Sequence, residues 1–232
     1  MRGKLFGVSV GPGDPELLTL KAVRVIREAD VVAVPNIGHK RQTAFEIAKE
    51  QLQGKQLLDC ATPMTQDRAA TEAAYIKIAD DVCALLDEGK SVAYLCLGDV
   101  AVYSTYFYVH DIVVARGYDA EAVPGVTSFS AVAAKLGMAL CEGPERLFVA
   151  PVLSSDVDAV LDAPATKVFM KSGKALGELR DKLAARGQLE DAGMVANCGL
   201  PDEKVFPRMA DADIDVGADY FSVVIVKAPR ES

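Results

Sequence analysis

The sequence predicts an α/β protein whose sheets are largely parallel. Segments with a strand pattern alternate with segments of helical periodicity along the whole chain of 232 residues. Residues 91–99, SVAYLCLGD, form the continuous apolar run expected of a strand buried on both faces. Glycine-containing loops follow several predicted strands, where open α/β sheets bind ligands. Hydrophobic residues make up 50% of the chain and charged residues 25%, the usual composition of a globular protein.

The expected helices and strands follow from the local pattern of apolar residues and from the residues that begin or end a helix. Asp14 can cap a helix that Pro15 begins, and Gly89 ends another. The expected strands are residues 4–10, 31–34, 56–60, 91–99, a short strand before Val123, 147–152, 166–170, 194–198 and 220–226, with 205–209 as an open case. The expected helices are residues 15–29, 43–52, 67–88, 104–116, one running through Ala134, 156–161 and 175–185. Turn residues concentrate between Gly117 and Gly125, so we expect two α/β domains, residues 1–120 and 121–232.

Charge and composition exclude several classes of function. The net charge of −8 and the lack of a dense Lys/Arg run argue against nucleic acid and anionic membranes as partners. No apolar run reaches the length of a membrane span, and the N-terminus leads into a strand, so we expect a cytoplasmic protein. The five cysteines have no metal-binding spacing, so we expect buried, reduced thiols and no metal site.

The opening loop, GPGDP at residues 11–15, does not have the features of a phosphate site. Neither Lys nor Ser/Thr follows Gly13, as a Walker A loop requires, and Glu16 replaces the third glycine of a dinucleotide fingerprint. Pro12 lacks an amide hydrogen, and Asp14 places a carboxylate where a phosphate would lie. The loop therefore favours a turn that approaches an uncharged or cationic group.

Two further loops follow predicted strands. Residues 97–105 offer Gly98 and Asp99 without a cation, which suits a ligand with a positive centre, hydroxyl groups and an adenine. A role for Asp99 as a simple helix cap remains an equal alternative. Thr127 and Ser128 stand at a helix start, where such residues commonly serve only as caps.

In this order and spacing the loops resemble the tetrapyrrole (corrin/porphyrin) methylases. The matching segments cover nearly the whole chain: VSVGPGDPELLTLKAVRVIREADVVAVP, LGDVAVYSTYFYV, EAVPGVTSFSAVAAKLGMAL, VFMK and VANCGLPDEKV. YST, PGVTSF and CGLPDE make the chain most similar to the precorrin-2 C20-methyltransferases of cobalamin synthesis. In one departure, Val100 stands where the family's Gly-Asp-Pro loop has proline, which restores an amide donor.

The resemblance implies a tetrapyrrole methylase fold in which S-adenosyl-methionine lies folded in a cleft between two α/β domains. S-adenosyl-homocysteine would be the product, and no metal is implied. The residues at the matching donor-binding positions are Pro12, Leu97, Gly98, Asp99, Val102, Thr127, Ser128, Met170, Asn197 and Cys198. From the residues alone, Met170 would be read as a core methionine and Cys198 as a buried thiol.

The implied reaction methylates C20 of precorrin-2 or of cobalt-factor II, and the sequence does not choose between them. The enzyme must align the reacting atoms and exclude water, and a base would assist loss of the C20 proton. Asp99 and Tyr103 are the catalytic candidates, with Asp14 a third, and water or the substrate itself could serve in place of a protein base. Cations that could meet the substrate carboxylates, each with solvated surface charge as the alternative, are His39, Lys40, Arg41, Arg68, Arg146, Lys171 and Lys174.

Other functions stay open at this point. Another tetrapyrrole methylase, such as a uroporphyrinogen-III C-methyltransferase, would share the loops. A non-catalytic ligand-binding domain would bind the donor without turnover. By resemblance to the family we expect a homodimer.

Overall fold

The structure is a computed structural model that describes residues 2–37, 40–41, 43–63, 65, 67–212 and 221–228. The chain divides into two units, Met1–Thr127 and Ser128–Ser232. The division falls later than the expected boundary at residues 120 and 121. The reason is that the strand Asp119–Val123 pairs with the first strand of the chain and so belongs to the first unit.

The first unit is built on a six-stranded sheet. Its strands are β1 (Lys4–Ser9), β2 (Val31–Ile37), β3 (Lys40–Arg41), β4 (Gln56–Thr62), β5 (Val92–Cys96) and β6 (Asp119–Val123). They follow the order β3-β2-β5-β1-β6, and β4 pairs with β2. The short strand β3 is antiparallel, and the other pairings are parallel, as the sequence predicted.

Helices cover both faces of this sheet. They are α1 (Leu20–Glu28), α2 (Thr43–Ala48), α3 (Arg68–Asp87) and α4 (Tyr106–Ala115). Leu5 and Tyr94 pack with α3 and α4 on one face, whereas Val8 and Leu95 pack with α1 and α2 on the other. All five residues of β5 are buried, which confirms a strand covered on both sides.

The helix expected at residues 15–29 is divided into two. Asp14 caps a 3₁₀ turn, Pro15–Leu17, by accepting a hydrogen bond from the Glu16 amide. Thr19 then caps α1 by accepting a hydrogen bond from the Ala22 amide at 3.1 Å. Since Thr19 is itself a good N-cap residue, the chain restarts the helix there instead of continuing it.

The second unit holds a five-stranded sheet that is mixed, not largely parallel. Its helices are α5 (Ser128–Leu136), α6 (Val157–Asp162) and α7 (Leu176–Ala185). Its strands are β7 (Leu147–Pro151), β8 (Thr166–Met170), β9 (Ala192–Ala196), β10 (Lys204–Phe206) and β11 (Val223–Val226), in the order β10-β9-β11-β8-β7.

The helices between strands decide the strand directions in this second sheet. β7 and β8, joined through α6, are parallel. β11 pairs antiparallel with both β8 and β9, so β8 and β9, which are joined through α7, run in the same direction. β10 follows β9 after a short turn without a helix and is therefore free to pair antiparallel with it. No helix in the described part of the chain has the length and apolarity that crossing a bilayer requires.

Candidate functional site

Three neighbouring strands of the first sheet end at one edge. β1 lies between β5 and β6, with Ser9 opposite Cys96 and Val8 opposite Val123. Because the three strands are parallel, the loops that follow them leave the sheet at the same edge. This edge is where an open α/β sheet binds its ligand, and all three loops singled out in the sequence lie there.

The first two loops are joined through their backbones. The Gly98 amide donates to the Gly11 carbonyl at 2.8 Å, and the Gly11 amide donates to the Gly98 carbonyl at 3.2 Å. Both glycines have left-handed backbones, with φ of 76° at Gly11 and 73° at Gly98. Glycine adopts this conformation without the steric cost that other residues bear, which accounts for its presence at both positions.

Asp99 connects the second loop to the third. One carboxylate oxygen accepts a hydrogen bond from the Ala101 amide at 2.8 Å, and the other accepts from the Gly125 amide at 2.7 Å. Asp99 is only 9% exposed. It does more than cap its own turn, because it holds the β6 loop against the β5 loop.

Ser9 and Gly125 complete this arrangement, which we call the loop clasp (Ser9, Asp99 and Gly125). The Ser9 hydroxyl, fully buried at the end of β1, accepts a hydrogen bond from the Val100 amide at 2.8 Å. A Cβ at Gly125 would lie 2.4 Å from the Ser9 Cβ and 3.2 Å from the Gly98 carbonyl oxygen. Gly125 therefore has no room for a side chain.

The other predicted residues of the first unit surround the clasp. Pro12 is buried in the first loop, and Leu97, Val102 and Thr127 are half-buried. Tyr103 is 43% exposed and has a left-handed backbone, with φ of 51°. For a bulky residue this conformation is uncommon and costs free energy, and such strain tends to occur at functional sites.

The second sheet has a comparable edge. Because β8 and β9 run in the same direction, Met170 at the end of β8 and Asn197 just after β9 lie at one edge of the sheet. Lys171 and Asn197 both have left-handed backbones, with φ of 53° and 52°. Asn197 and Cys198 are buried, and Met170 is half-buried. The structure thus brings Met170, Asn197 and Cys198 to one edge, whereas Ser128 begins α5.

The family model for the tetrapyrrole (corrin/porphyrin) methylases matches residues 4–213. The chain belongs to this family. Its members are S-adenosyl-methionine-dependent methyltransferases. The methylase family was the one indicated by the sequence motifs, so this prediction is confirmed.

Several relatives match this chain across nearly its whole length. The probable cobalt-precorrin-2 C(20)-methyltransferase of Methanocaldococcus jannaschii is 33% identical, covering 97% of this chain and 96% of the relative. The precorrin-2 C(20)-methyltransferase of a Sinorhizobium species is 32% identical, covering 97% and 95%. The cobalamin biosynthesis protein CobIJ of Mycobacterium bovis is 36% identical over 99% of this chain. The chain spans about half the length of that relative, 47%.

A solved structure has the same fold as this chain. The cobalt precorrin-4 methyltransferase CbiF aligns with a TM-score of 0.77 over 97% of this chain and 94% of its own. The sequence identity is 21%, so this likeness concerns the fold alone. It supports the prediction of a tetrapyrrole methylase fold.

The cysteine thiols of this chain lie outside the three loops or are buried beside them. Burial raises the pKa of the Cys60 and Cys96 thiols to about 12, which makes them unreactive. Cys83 and Cys198 are buried too, but Cys141 is exposed, contrary to the expectation of buried thiols throughout. No cluster of metal-ligating side chains occurs within the described residues.

The cations proposed for substrate carboxylates are dispersed. Arg68, Arg146 and Lys174 are exposed, and Lys171 is half-buried at the end of β8. His39 lies outside the described residues, and Lys40 and Arg41 are described only as the strand β3. None of the three loops at the first edge contains a Lys or Arg in residues 9–15, 96–105 or 123–128.

The sequence motifs do not point to the clasp members Ser9 and Gly125 or to Asp202, which accepts a hydrogen bond from Asn197 Nδ2 at 2.7 Å. The available signal for Ser9 was a lone hydroxyl in the otherwise apolar run VSV. For Asp202 it was its place in the CGLPDE segment, four residues after Cys198. Which partners these side chains have depends on the tertiary fold and cannot be read from local sequence.

Proposed function

We propose that this chain transfers a methyl group from S-adenosyl-methionine to C20 of precorrin-2 or its cobalt-loaded counterpart in cobalamin biosynthesis. The observation that carries the proposal is the full-length similarity to relatives named for this reaction. The metal-free and the cobalt-loaded substrates both occur among the names of those relatives, so the assay below uses both.

We propose that the donor contacts the residues at the positions that match the family's donor site. Its sulfonium is positively charged, and the three loops of the first edge offer backbone carbonyls and Asp99 without any Lys or Arg. This combination fits a cation and disfavours a phosphate. The contacting residues in this proposal are Pro12, Leu97, Gly98, Asp99, Val102, Thr127, Ser128, Met170, Asn197 and Cys198.

The bound donor supplies an activated methyl group, so the chain needs to position and desolvate the reactants and has no need of a nucleophile of its own. As the bond to C20 forms and the sulfur–methyl bond breaks, the sulfur keeps the bonding electron pair. C20 then loses its proton. Tyr103, exposed at the edge of the β5 loop, and Asp99 are the proposed acceptors of this proton. Asp99 already accepts two backbone amides, so its larger contribution is to hold the loops in place.

Assembly and location follow from the resemblance to the family. We propose a homodimer in the cytoplasm, where the five cysteines stay reduced. Light scattering on the purified protein should give twice the chain mass of 24.7 kDa. A monomeric mass at assay concentration would contradict the dimer and leave the proposed reaction to be tested separately.

The experiment that tests the reaction is an anaerobic methyl-transfer assay with S-adenosyl-methionine. Metal-free precorrin-2, cobalt-factor II and uroporphyrinogen III are supplied in parallel, and mass spectrometry and NMR locate the added methyl groups. One methyl at C20 on either of the first two substrates is the expected result. Methylation of uroporphyrinogen III alone would assign the chain to the alternative reaction. Donor binding without any turnover would favour a non-catalytic domain.

A further inference from the structure

The segment after β9 is held in place by two acidic side chains. Asn197 donates from its Nδ2 to the Asp202 carboxylate at 2.7 Å. The Gly199 amide donates to the Glu203 carboxylate at 2.7 Å, and Lys135 of α5 donates to the other Glu203 oxygen at 2.8 Å. We call residues 197–203 with these bonds the β9 turn.

Charge keeps the β9 turn anchored at neutral pH. Burial acts to raise the pKa of Glu203. The hydrogen bonds from Lys135 and from the Gly199 amide outweigh burial and hold this pKa below its usual range. Two backbone bonds add to the restraint, from the Leu200 amide to the Asn197 carbonyl at 2.9 Å and from the Glu203 amide to the Leu200 carbonyl at 3.0 Å. The turn is thus fixed at both of its ends.

Asn197 needs this restraint because its backbone is strained. Its φ of 52° lies in the left-handed region, which asparagine tolerates better than most residues but which still costs free energy. The described residues include three left-handed positions that are not glycine, Tyr103, Lys171 and Asn197, and each lies shortly after a strand. Strain of this kind persists only where neighbours over-determine the conformation, as in ligand clamps.

We propose that Asp202 is a positioning residue for the methyl donor and acts through Asn197. The inference rests on the proposed function, which places Asn197 and Cys198 against the donor. Both residues are buried and neither carries a charge, so this strand end suits the uncharged adenosine half of the donor. Asp202 itself is exposed, and its side chain fixes the rotamer of Asn197 and, with it, the backbone that the donor contacts.

The experiment measures S-adenosyl-homocysteine binding by calorimetry and methyl-transfer kinetics on full-length variants. Asp202→Ala removes the acceptor of the Asn197 amide and should weaken product binding about tenfold. The KM for the donor should rise by a similar factor while kcat stays within about twofold. Asp202→Asn retains an acceptor oxygen and should restore affinity to within about threefold of the wild type.

Two further variants separate positioning from simple folding effects. Asn197→Gly keeps the left-handed backbone without strain but lacks the amide, so it should lose affinity as Asp202→Ala does. Asp162→Asn is the control, because it removes the ion pair that Asp162 forms with Arg186 at 3.1 Å. Asp162 precedes the start of β8 and therefore lies at the opposite edge of the same sheet. The Asp162→Asn variant should bind the product as the wild type does.

The outcomes separate failure of the inference from failure of the proposed function. If the wild type binds the product and Asp202→Ala or Asn197→Gly binds it equally well, Asp202 has no positioning role and the proposed function stands. Equal losses in Asp202→Ala and Asp162→Asn would also overturn the inference, since they would reflect general destabilisation. If the wild type does not bind the product at all, the proposed function falls and the inference falls with it.

Discussion

The carboxyl edges of the two sheets are held in place in different ways. At the first edge, Gly125 has no room for a side chain, and the loop clasp joins loops that follow three different strands. At the second edge, Asp202 accepts a hydrogen bond from Asn197 and Glu203 accepts one from the Gly199 amide, so these bonds stay within a single turn. The side chains that hold the first edge thus join separate loops, whereas those of the second edge fix the turn to which they themselves belong.

The largest effect is expected where the first edge is most crowded. Gly125→Ala would place a Cβ 2.4 Å from the Ser9 Cβ, a contact that only a shift of backbone could relieve. We expect a loss of about 2 kcal/mol in the free energy of unfolding, since overpacking a rigid site costs about 1–3 kcal/mol. Urea denaturation measures the change, and donor binding should weaken along with it.

Gly177→Ala is the matched control for Gly125→Ala. No atom lies within 4 Å of the position of a Cβ at Gly177, which stands inside α7. Alanine is favoured over glycine within helices, so this variant should gain about 0.5–1 kcal/mol. If Gly125→Ala were as stable as the wild type, the close approach of the loops would not be part of the native structure.

The next largest effect is expected at Asp99, which joins two loops and is also a proposed proton acceptor. Asp99→Ala leaves the amides of Ala101 and Gly125 without their acceptor and should cost about 2 kcal/mol of stability as well as most of the donor affinity. Asp99→Asn can satisfy one amide but cannot take a proton from the substrate. We expect it to keep a substantial part of both the affinity and kcat.

Kinetics at saturating donor decide between the roles. If Asp99→Asn binds the donor normally but shows the same loss of kcat as Asp99→Ala, the carboxylate acts as the proton acceptor in addition to joining the loops. Tyr103→Phe provides the companion measurement, because it removes the other proposed acceptor while leaving the clasp residues unchanged.

A third comparison tests the left-handed positions at each edge directly. Gly98→Ala meets no atom within 4 Å, so it introduces only backbone strain at φ of 73° and should cost about 1 kcal/mol. Lys171→Gly removes the same strain at the second edge and should gain up to about 1 kcal/mol. Thermal unfolding of both variants shows whether each one gains or loses stability. A loss of stability in Lys171→Gly would mean that contacts of the lysine side chain outweigh the strain of its backbone.

Some features of the two edges and of the fold could be predicted from the sequence alone, and others could not. The buried strand at residues 91–99 and the three loops were predictable, because apolar runs and glycines report local requirements directly. The antiparallel direction of β11 was not, since nothing in its own residues says which strands it joins. The restart of the first helix at Thr19 and the bond between Asn197 and Asp202 depend on competition between local options and on tertiary contacts.

The smallest effect is expected at the ion pairs of Glu121, which lies in β6. Glu121 pairs with Lys4 of β1 and with Lys21 of α1, both at 2.7 Å. The hydrogen bonds from Lys21 and then Lys4 lower the pKa of Glu121 to about 2. A carboxylate with a lowered pKa in the folded state stabilises the protein above the ordinary value of 4.5 and loses that contribution as the pH falls toward 2.

The Glu121 side chain is 34% exposed, so solvent screening limits its contribution to about 0.5 kcal/mol. Glu121→Gln should therefore be less stable than the wild type at pH 7, and the difference should shrink at pH 3. Glu28→Gln, which removes the exposed pair with Arg24, controls for loss of a surface charge at pH 7. An unchanged difference between pH 7 and pH 3 would show that the two lysines do not stabilise the Glu121 carboxylate. Since Glu121 joins β1 to β6 away from the loops, its loss should leave donor binding unchanged, whereas loss of Asp99 should not.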